Sequence, residues 1–134
     1  SQYTSGTASG STTTAISSIE FSDGSPAIDL TRDGLTFAGT TGDDTLFGSN
    51  QSHFLNGEDG NDTITDGAGA STINGGAGDD NMSGGSGLDV YVFDPGFGND
   101  TINESAGTNG GIIRFGAGIG PNDIRLFRDP SDPR

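Results

Sequence analysis

Cysteine, tryptophan and lysine are absent from this 134-residue chain, and histidine occurs once. Without cysteine there is no disulfide framework, no thiol nucleophile and no thiolate metal site. The basic residues are 5 arginines set against 19 Asp and Glu, a net charge of −14. That balance argues against nucleic acid and acidic lipid surfaces as partners and favours cations. No run approaches the roughly 20 apolar residues of a membrane helix, so no membrane insertion is expected. Large apolar side chains are scarce too: Ile, Leu, Val and Phe total 26. Low apolar content with high net charge normally leaves a chain disordered. Folding therefore needs a contribution beyond the hydrophobic core. No secretory leader is visible and the chain opens on Ser1 rather than Met, so it reads as a processed or excised piece.

Glycine is plentiful instead, with 25 copies. Residues 1–18 are mostly Ser and Thr and read as a flexible tail or an extended segment. Residues 19–38 read as strands forming a cap. Within them, Ile28-Asp29-Leu30 and Leu35-Thr36-Phe37 flank Asp33-Gly34, a hairpin-turn dipeptide. Residues 104–134 read as C-terminal capping strands, with Ile112 to Phe115 and Ile124 to Arg128 the strand-like runs. No segment carries a helical period.

The main signal lies in 39–103, where the chain repeats every nine residues. The copies are GTTGDDTLF, GSNQSHFLN, GEDGNDTIT, DGAGASTIN, GGAGDDNMS and GGSGLDVYV, running from Gly39 to Val92. A two-residue insertion, Phe93-Asp94, precedes a seventh copy, PGFGNDTIN. The eighth position is always apolar: Leu46, Leu55, Ile64, Ile73, Met82, Tyr91, Ile102. The sixth reads Asp44, His53, Asp62, Ser71, Asp80, Asp89, Asp100.

One inward apolar residue flanked by outward neighbours describes a very short strand. Six positions rich in Gly, Asp and Asn describe a turn. Such a unit cannot close on itself, but two back to back make a coil, and coils stack into two parallel sheets. One sheet then holds Leu46, Ile64 and Met82, and the other Leu55, Ile73 and Tyr91. Parallel strands sit about 4.8 Å apart. Asp44, Asp62 and Asp80 therefore form a ladder of carboxylates whose neighbours repel by about 3 kcal/mol at an effective dielectric near 20. A calcium ion midway would lie about 2.4 Å from each, its normal distance to oxygen. Magnesium wants shorter bonds in a stricter octahedron, and zinc wants His or Cys. Ion binding to the folded state alone is folding energy.

The copies resemble the RTX nonapeptide, G-G-x-G-x-D-x-U-x, of haemolysin-type calcium-binding proteins; GEDGNDTIT, GGAGDDNMS and GGSGLDVYV match it closely. The resemblance implies an all-β parallel β-roll that folds on binding calcium, and export by type I secretion. YVFDPGFGNDTINE and IIRFGAGIGPNDIRLF resemble the cap that follows such arrays in large repetitive exoproteins, and IEFSDGS the strand that ends such a module.

The chain departs from the pattern at His53 and Ser71, both on the same side of the roll. The side built from copies one, three, five and seven carries Asp44, Asp62, Asp80 and Asp100. It is expected to hold two calcium ions, between copies one and three and between three and five, with a third between five and seven unless the insertion disturbs it. The other side keeps only Asp89, so its sites should be weak or absent. Carbonyls at the first and third turn positions, such as Thr41, Gly57, Asp59, Gly75 and Ala77, are candidates to complete the shells. His53 is read as filling a degenerate turn, and the fifth-position acids Asp43 and Asp79 as solvating theirs. Phe47, Phe54, Phe93 and Phe97 are read as wedges at roll ends and caps rather than a glycan platform.

No G-x-S-x-G elbow or EF-hand loop is present, so neither a catalytic triad nor that calcium motif is expected. The reading is a non-enzymatic, extracellular or cell-surface calcium-binding module with a structural role in a repetitive adhesin or fibre. Self-association through terminal strands, with Ile124 to Arg128 adding to a neighbour, would give a head-to-tail filament. The alternative is a secretion and folding appendage of a toxin or exoenzyme.

Overall fold

The computed structural model describes residues 18–19, 28–29, 33–104 and 110–127. Residues 1–17, 20–27, 30–32, 105–109 and 128–134 lie outside them, and with them the Ser/Thr-rich segment, most of IEFSDGS, Leu30 and Arg128. The chain divides into two units, residues 1–32 and 33–134. In the first, β1 (Ser18–Ile19) pairs antiparallel with β2 (Ile28–Asp29).

The second unit is a coil of short strands. In chain order these are β3 (Leu35–Ala38), β4 (Thr45–Phe47), β5 (His53–Asn56), β6 (Thr63–Thr65), β7 (Thr72–Asn74), β8 (Asn81–Gly85), β9 (Val90–Phe93), β10 (Thr101–Glu104) and β11 (Ile112–Phe115). Successive strands alternate between two sheets, ordered β10-β8-β6-β4 and β11-β9-β7-β5-β3. Every pairing in both is parallel. This is an all-β parallel roll.

The register follows from the nine-residue period. Two copies make one coil, so Leu46 lies beside Ile64, and Ile64 beside Met82. On the other sheet Leu55 lies beside Ile73, and Ile73 beside Tyr91. These eighth-position side chains are the core: Leu55, Ile64, Ile73, Met82 and Tyr91 are buried together with Phe93. Each aliphatic member contributes about 1.5–3 kcal/mol by leaving water. The residues on either side of each apolar eighth position, among them Thr, Asn, Ser, Val and Phe, face outward or sit at half-burial, as strand alternation requires.

Glycine makes the coils stack. At Gly78 the backbone takes φ = +136°, which side-chain-bearing residues rarely adopt, and a Cβ there would strike the Gly60 carbonyl of the preceding coil.

Three expectations change. Among the described residues no hairpin pairing across Asp33-Gly34 is found: β3 pairs in parallel with β5, placing Phe37 beside Leu55. Phe37 stands nine residues before Leu46, so the coil starts with a rung that has no glycine at the repeat's first or fourth position and no acid at its sixth, yet keeps its apolar eighth position. Residues 124–127 are not a strand, and Leu126 and Phe127 are exposed. Finally, Phe47 and Phe54 do not wedge into the roll. They occupy the outward positions flanking Leu46 and Leu55 and are 69% and 51% exposed. Phe93 and Phe97 do pack at the roll's end, edge to face at 5.1 Å.

Candidate metal centre

The sixth-position aspartates stand at the last turn residue before each strand. Stacking brings them into one column. The Asp44 N–H donates to Oδ1 of Asp62 at 2.8 Å, the Asp62 N–H to Oδ1 of Asp80 at 2.8 Å, and the Asp80 N–H to Oδ1 of Asp100 at 2.9 Å. Each carboxylate is thus tied by one oxygen to the coil before it. The insertion at Phe93-Asp94 does not break this column: its irregularity appears further on, between Ile102 and Glu104.

The other oxygen is the informative one. Oδ2 of Asp62, Asp80 and Asp100 is buried and has no hydrogen-bond partner among the described residues. Asp62 and Asp80 are only 1% and 2% exposed. A buried, unpartnered carboxylate oxygen costs several kcal/mol unless a cation or proton meets it. Burial accordingly pushes the Asp62 carboxyl above its usual 3.8, offset in part by the Asp44 amide and reinforced by repulsion from Asp80, Asp44 and Asp43. Burial likewise raises Asp80, against the pull of the Asp62 amide, and raises Asp100, against that of the Asp80 amide. Asp44, at the column's open end, differs: its Oδ2 accepts from the Thr40 N–H and, at 2.9 Å, from the Thr40 hydroxyl.

First-position glycines build the cradle around these oxygens. A Cβ on Gly57 would land on both Oδ2 of Asp62 and the carbonyl oxygen of Gly75. A Cβ on Gly39 would meet the Gly57 carbonyl and, at 2.8 Å, Oδ2 of Asp44. A Cβ on Gly75 would meet Oδ2 of Asp80. A carboxylate oxygen of one coil and a carbonyl oxygen of the next thus converge where the absent side chain would be. Among the described residues no group of three or more His, Asp or Glu side chains could hold a metal ion. An ion here would draw its remaining ligands from carbonyls and water. Hard oxygen donors in a flexible turn suit calcium.

Of the carbonyl candidates, Gly57 and Gly75 face these cradles. The Ala77 carbonyl accepts the Gly60 N–H at 2.9 Å, and Ala77 bridges to Asp59 on the adjacent coil. Thr41 and Asp59 are exposed.

The fifth-position side chains do more than solvate their turns. Oδ1 of Asp43 accepts the Asn61 N–H at 2.8 Å, Oδ1 of Asn61 accepts the Asp79 N–H at 2.8 Å, and Oδ1 of Asp79 accepts the Asn99 N–H at 3.0 Å. This second ladder pins each turn to the next. Its signal was present in the sequence, as an Asp or Asn at each of these four positions.

On the opposite side the column reads His53, Ser71, Asp89. The His53 N–H donates to Oγ of Ser71 at 3.0 Å, and the Ser71 N–H to Oδ1 of Asp89 at 2.9 Å. Oδ2 of Asp89 is buried without a partner, and burial raises that carboxyl, with repulsion from Asp66 and Glu104 adding to the effect. His53 is buried, its Nε2 2.7 Å from Oγ of Ser49 and its ring edge-on to Phe37 at 5.0 Å. The Tyr91 hydroxyl accepts the Gly84 N–H at 2.8 Å and donates to Oε1 of Glu104 at 2.7 Å. Sequence reasoning passed over one buried acid on this side, Asp66, which stands at a first position where copies one, two, three, five and six have glycine.

Residues 36–64 and 56–91 match the family model described as RTX calcium-binding nonapeptide repeat (4 copies). No curated relative matches the chain.

Proposed function

Because residues 36–91 of this chain belong to the RTX calcium-binding nonapeptide-repeat family, we propose that it is a structural module whose coil is completed by calcium held on the Asp44, Asp62, Asp80 and Asp100 column. One observation carries this reading. Asp62 and Asp80, on successive coils, each bury a carboxylate oxygen that no group among the described residues satisfies. In the proposed arrangement Asp44, Asp62 and the Gly57 carbonyl serve one ion, and Asp62, Asp80 and the Gly75 carbonyl a second. Asp80 and Asp100 serve a third. Bound calcium would supply the positive charge that cancels repulsion between neighbouring rungs.

The protein's own residues do the rest. Backbone amides hold each carboxylate in place through Oδ1. First-position glycines keep the approach to Oδ2 clear. The eighth-position core sets the spacing between coils. The role proposed is mechanical.

A chain that stiffens only where calcium is abundant suits a protein working outside the cell, where modules bind calcium with dissociation constants of roughly 10⁻⁴–10⁻³ M. We place this one in a secreted or surface protein, as part of a repetitive adhesin or extracellular fibre. Isothermal calorimetry with calcium tests the site assignment. Binding of two to three ions per chain on the first side, abolished in stages by Asp62→Ala and Asp80→Ala, is the expected result. Calcium binding that is unchanged in both variants would refute it.

A further inference from the structure

The side of the roll that lacks sixth-position acids at His53 and Ser71 holds a carboxylate from elsewhere. At Gly39, Gly57, Gly75 and Gly84 the point a Cβ would occupy is met by Oδ2 of the sixth-position aspartate of the same copy, namely Asp44, Asp62, Asp80 and Asp89. At Gly48 that aspartate is missing, because the sixth position of its copy is His53. The same point is nevertheless met by a carboxylate oxygen: Oδ1 of Asp66, reaching back from the next coil. Asp66 is 6% exposed, and neither of its oxygens reaches hydrogen-bond geometry with another group among the described residues; burial raises its carboxyl, against the pull of the nearby Ser71 hydroxyl, the Gly67 amide and His53.

The two departures from the repeat fit each other. A Cβ at a first position collides with the carboxylate of its own copy, as at Gly57 with Asp62. In the fourth copy the sixth position is Ser71, whose short side chain turns to the His53 N–H. The cradle is therefore clear for the Asp66 side chain to grow through it toward Gly48.

We propose that Asp66 is the carboxylate ligand of a further calcium site, between copies two and four on the second side of the roll. The site rests on the reading that the first side binds calcium in the same manner. Its carboxylate comes from the first position of one coil instead of the sixth position of the coil before. A proposed site here departs from the expectation that sites on this side are weak or absent. The competing occupant is His53, whose Nδ1 is also buried without a partner. No hydrogen bond joins it to Asp66, although His53 is near enough to offset part of the effect of burial on that carboxyl, and Nε2 lies 2.7 Å from Oγ of Ser49.

The test counts calcium ions on the full chain, by calorimetry and by equilibrium dialysis with metal analysis. Two variants are compared with the parent. Asp66→Gly restores the residue that copies one, two, three, five and six carry, and Asp66→Asn keeps the shape and removes the charge. The expected result is the loss of one ion per chain in both, with the calcium-induced far-UV signal of the first side retained. An unchanged ion count in both variants would overturn the Asp66 site and favour an Asp66–His53 pair, while leaving the first side's assignment intact. A parent chain that binds no calcium would overturn both readings. If Asp66→Gly fails to fold, Asp66→Asn alone decides: one ion fewer supports the site and an equal number overturns it.

Discussion

Asp62 donates its backbone N–H to Oδ1 of Asp80 at 2.8 Å, while Oδ2 of the same Asp80 carboxylate is buried with nothing to bond. One oxygen orients the group and the other is presented to the space between coils. The arrangement repeats from Asp62 to Asp100. A column of fixed, half-satisfied carboxylates is costly by itself and favourable once cations enter.

The position of Asp62 within that column makes its loss the most damaging. It neighbours both Asp44 and Asp80. Asp62→Ala is expected to raise the calcium midpoint for folding at least tenfold, about 1.4 kcal/mol. Asp89→Ala, on the other side, should shift it less. Calcium titrations followed by circular dichroism check the difference; equal shifts would contradict the assignment.

Filling the cradle should act as strongly as removing a carboxylate. A Cβ on Gly57 would overlap Oδ2 of Asp62 and the Gly75 carbonyl, whereas one on Gly42 would meet nothing within 4 Å. Gly57→Ala is expected to lower the stability of the calcium-loaded chain by about 1–3 kcal/mol. Gly42→Ala should stay within about 0.5 kcal/mol of the parent. Thermal melts in calcium measure both.

Much of this was legible in the sequence. The nine-residue period set the two sheets, their register and the core, because an apolar residue every ninth position admits one stacking. The Asp44–Asp100 column followed from the same arithmetic. What escaped detection lacked the repeat's chemistry. The rung at Leu35–Ala38 has no turn glycine at its first position and no acid at its sixth, so Asp33-Gly34 read as a hairpin. Ile124 to Phe127 alternates apolar and basic residues like a strand but forms none. Asp66 was overlooked because reading by position looked for acids only at the sixth place, and its role emerges only when the next coil is stacked on Gly48.

Acidity should act in opposite directions with and without calcium. Burial raises the Asp62, Asp80 and Asp100 carboxyls in the metal-free fold above the ordinary 3.8. Raised carboxyls favour the folded state when protonated; that contribution is full below the ordinary value and is lost as pH rises through the raised ones. In chelator, mild acid should therefore stabilise the coil relative to neutral pH. Calcium needs the same groups deprotonated, so its folding midpoint should climb as pH falls. Folding curves at pH 5 and pH 7.5, each in chelator and in calcium, check both signs.

The most direct test follows the backbone of the full chain by far-UV circular dichroism, first in chelator and then with calcium or magnesium restored at equal concentration. The account predicts a largely unfolded spectrum in chelator, a cooperative gain of β signal with calcium, and little response to magnesium. A β spectrum already complete in chelator, and unmoved by calcium, would contradict it.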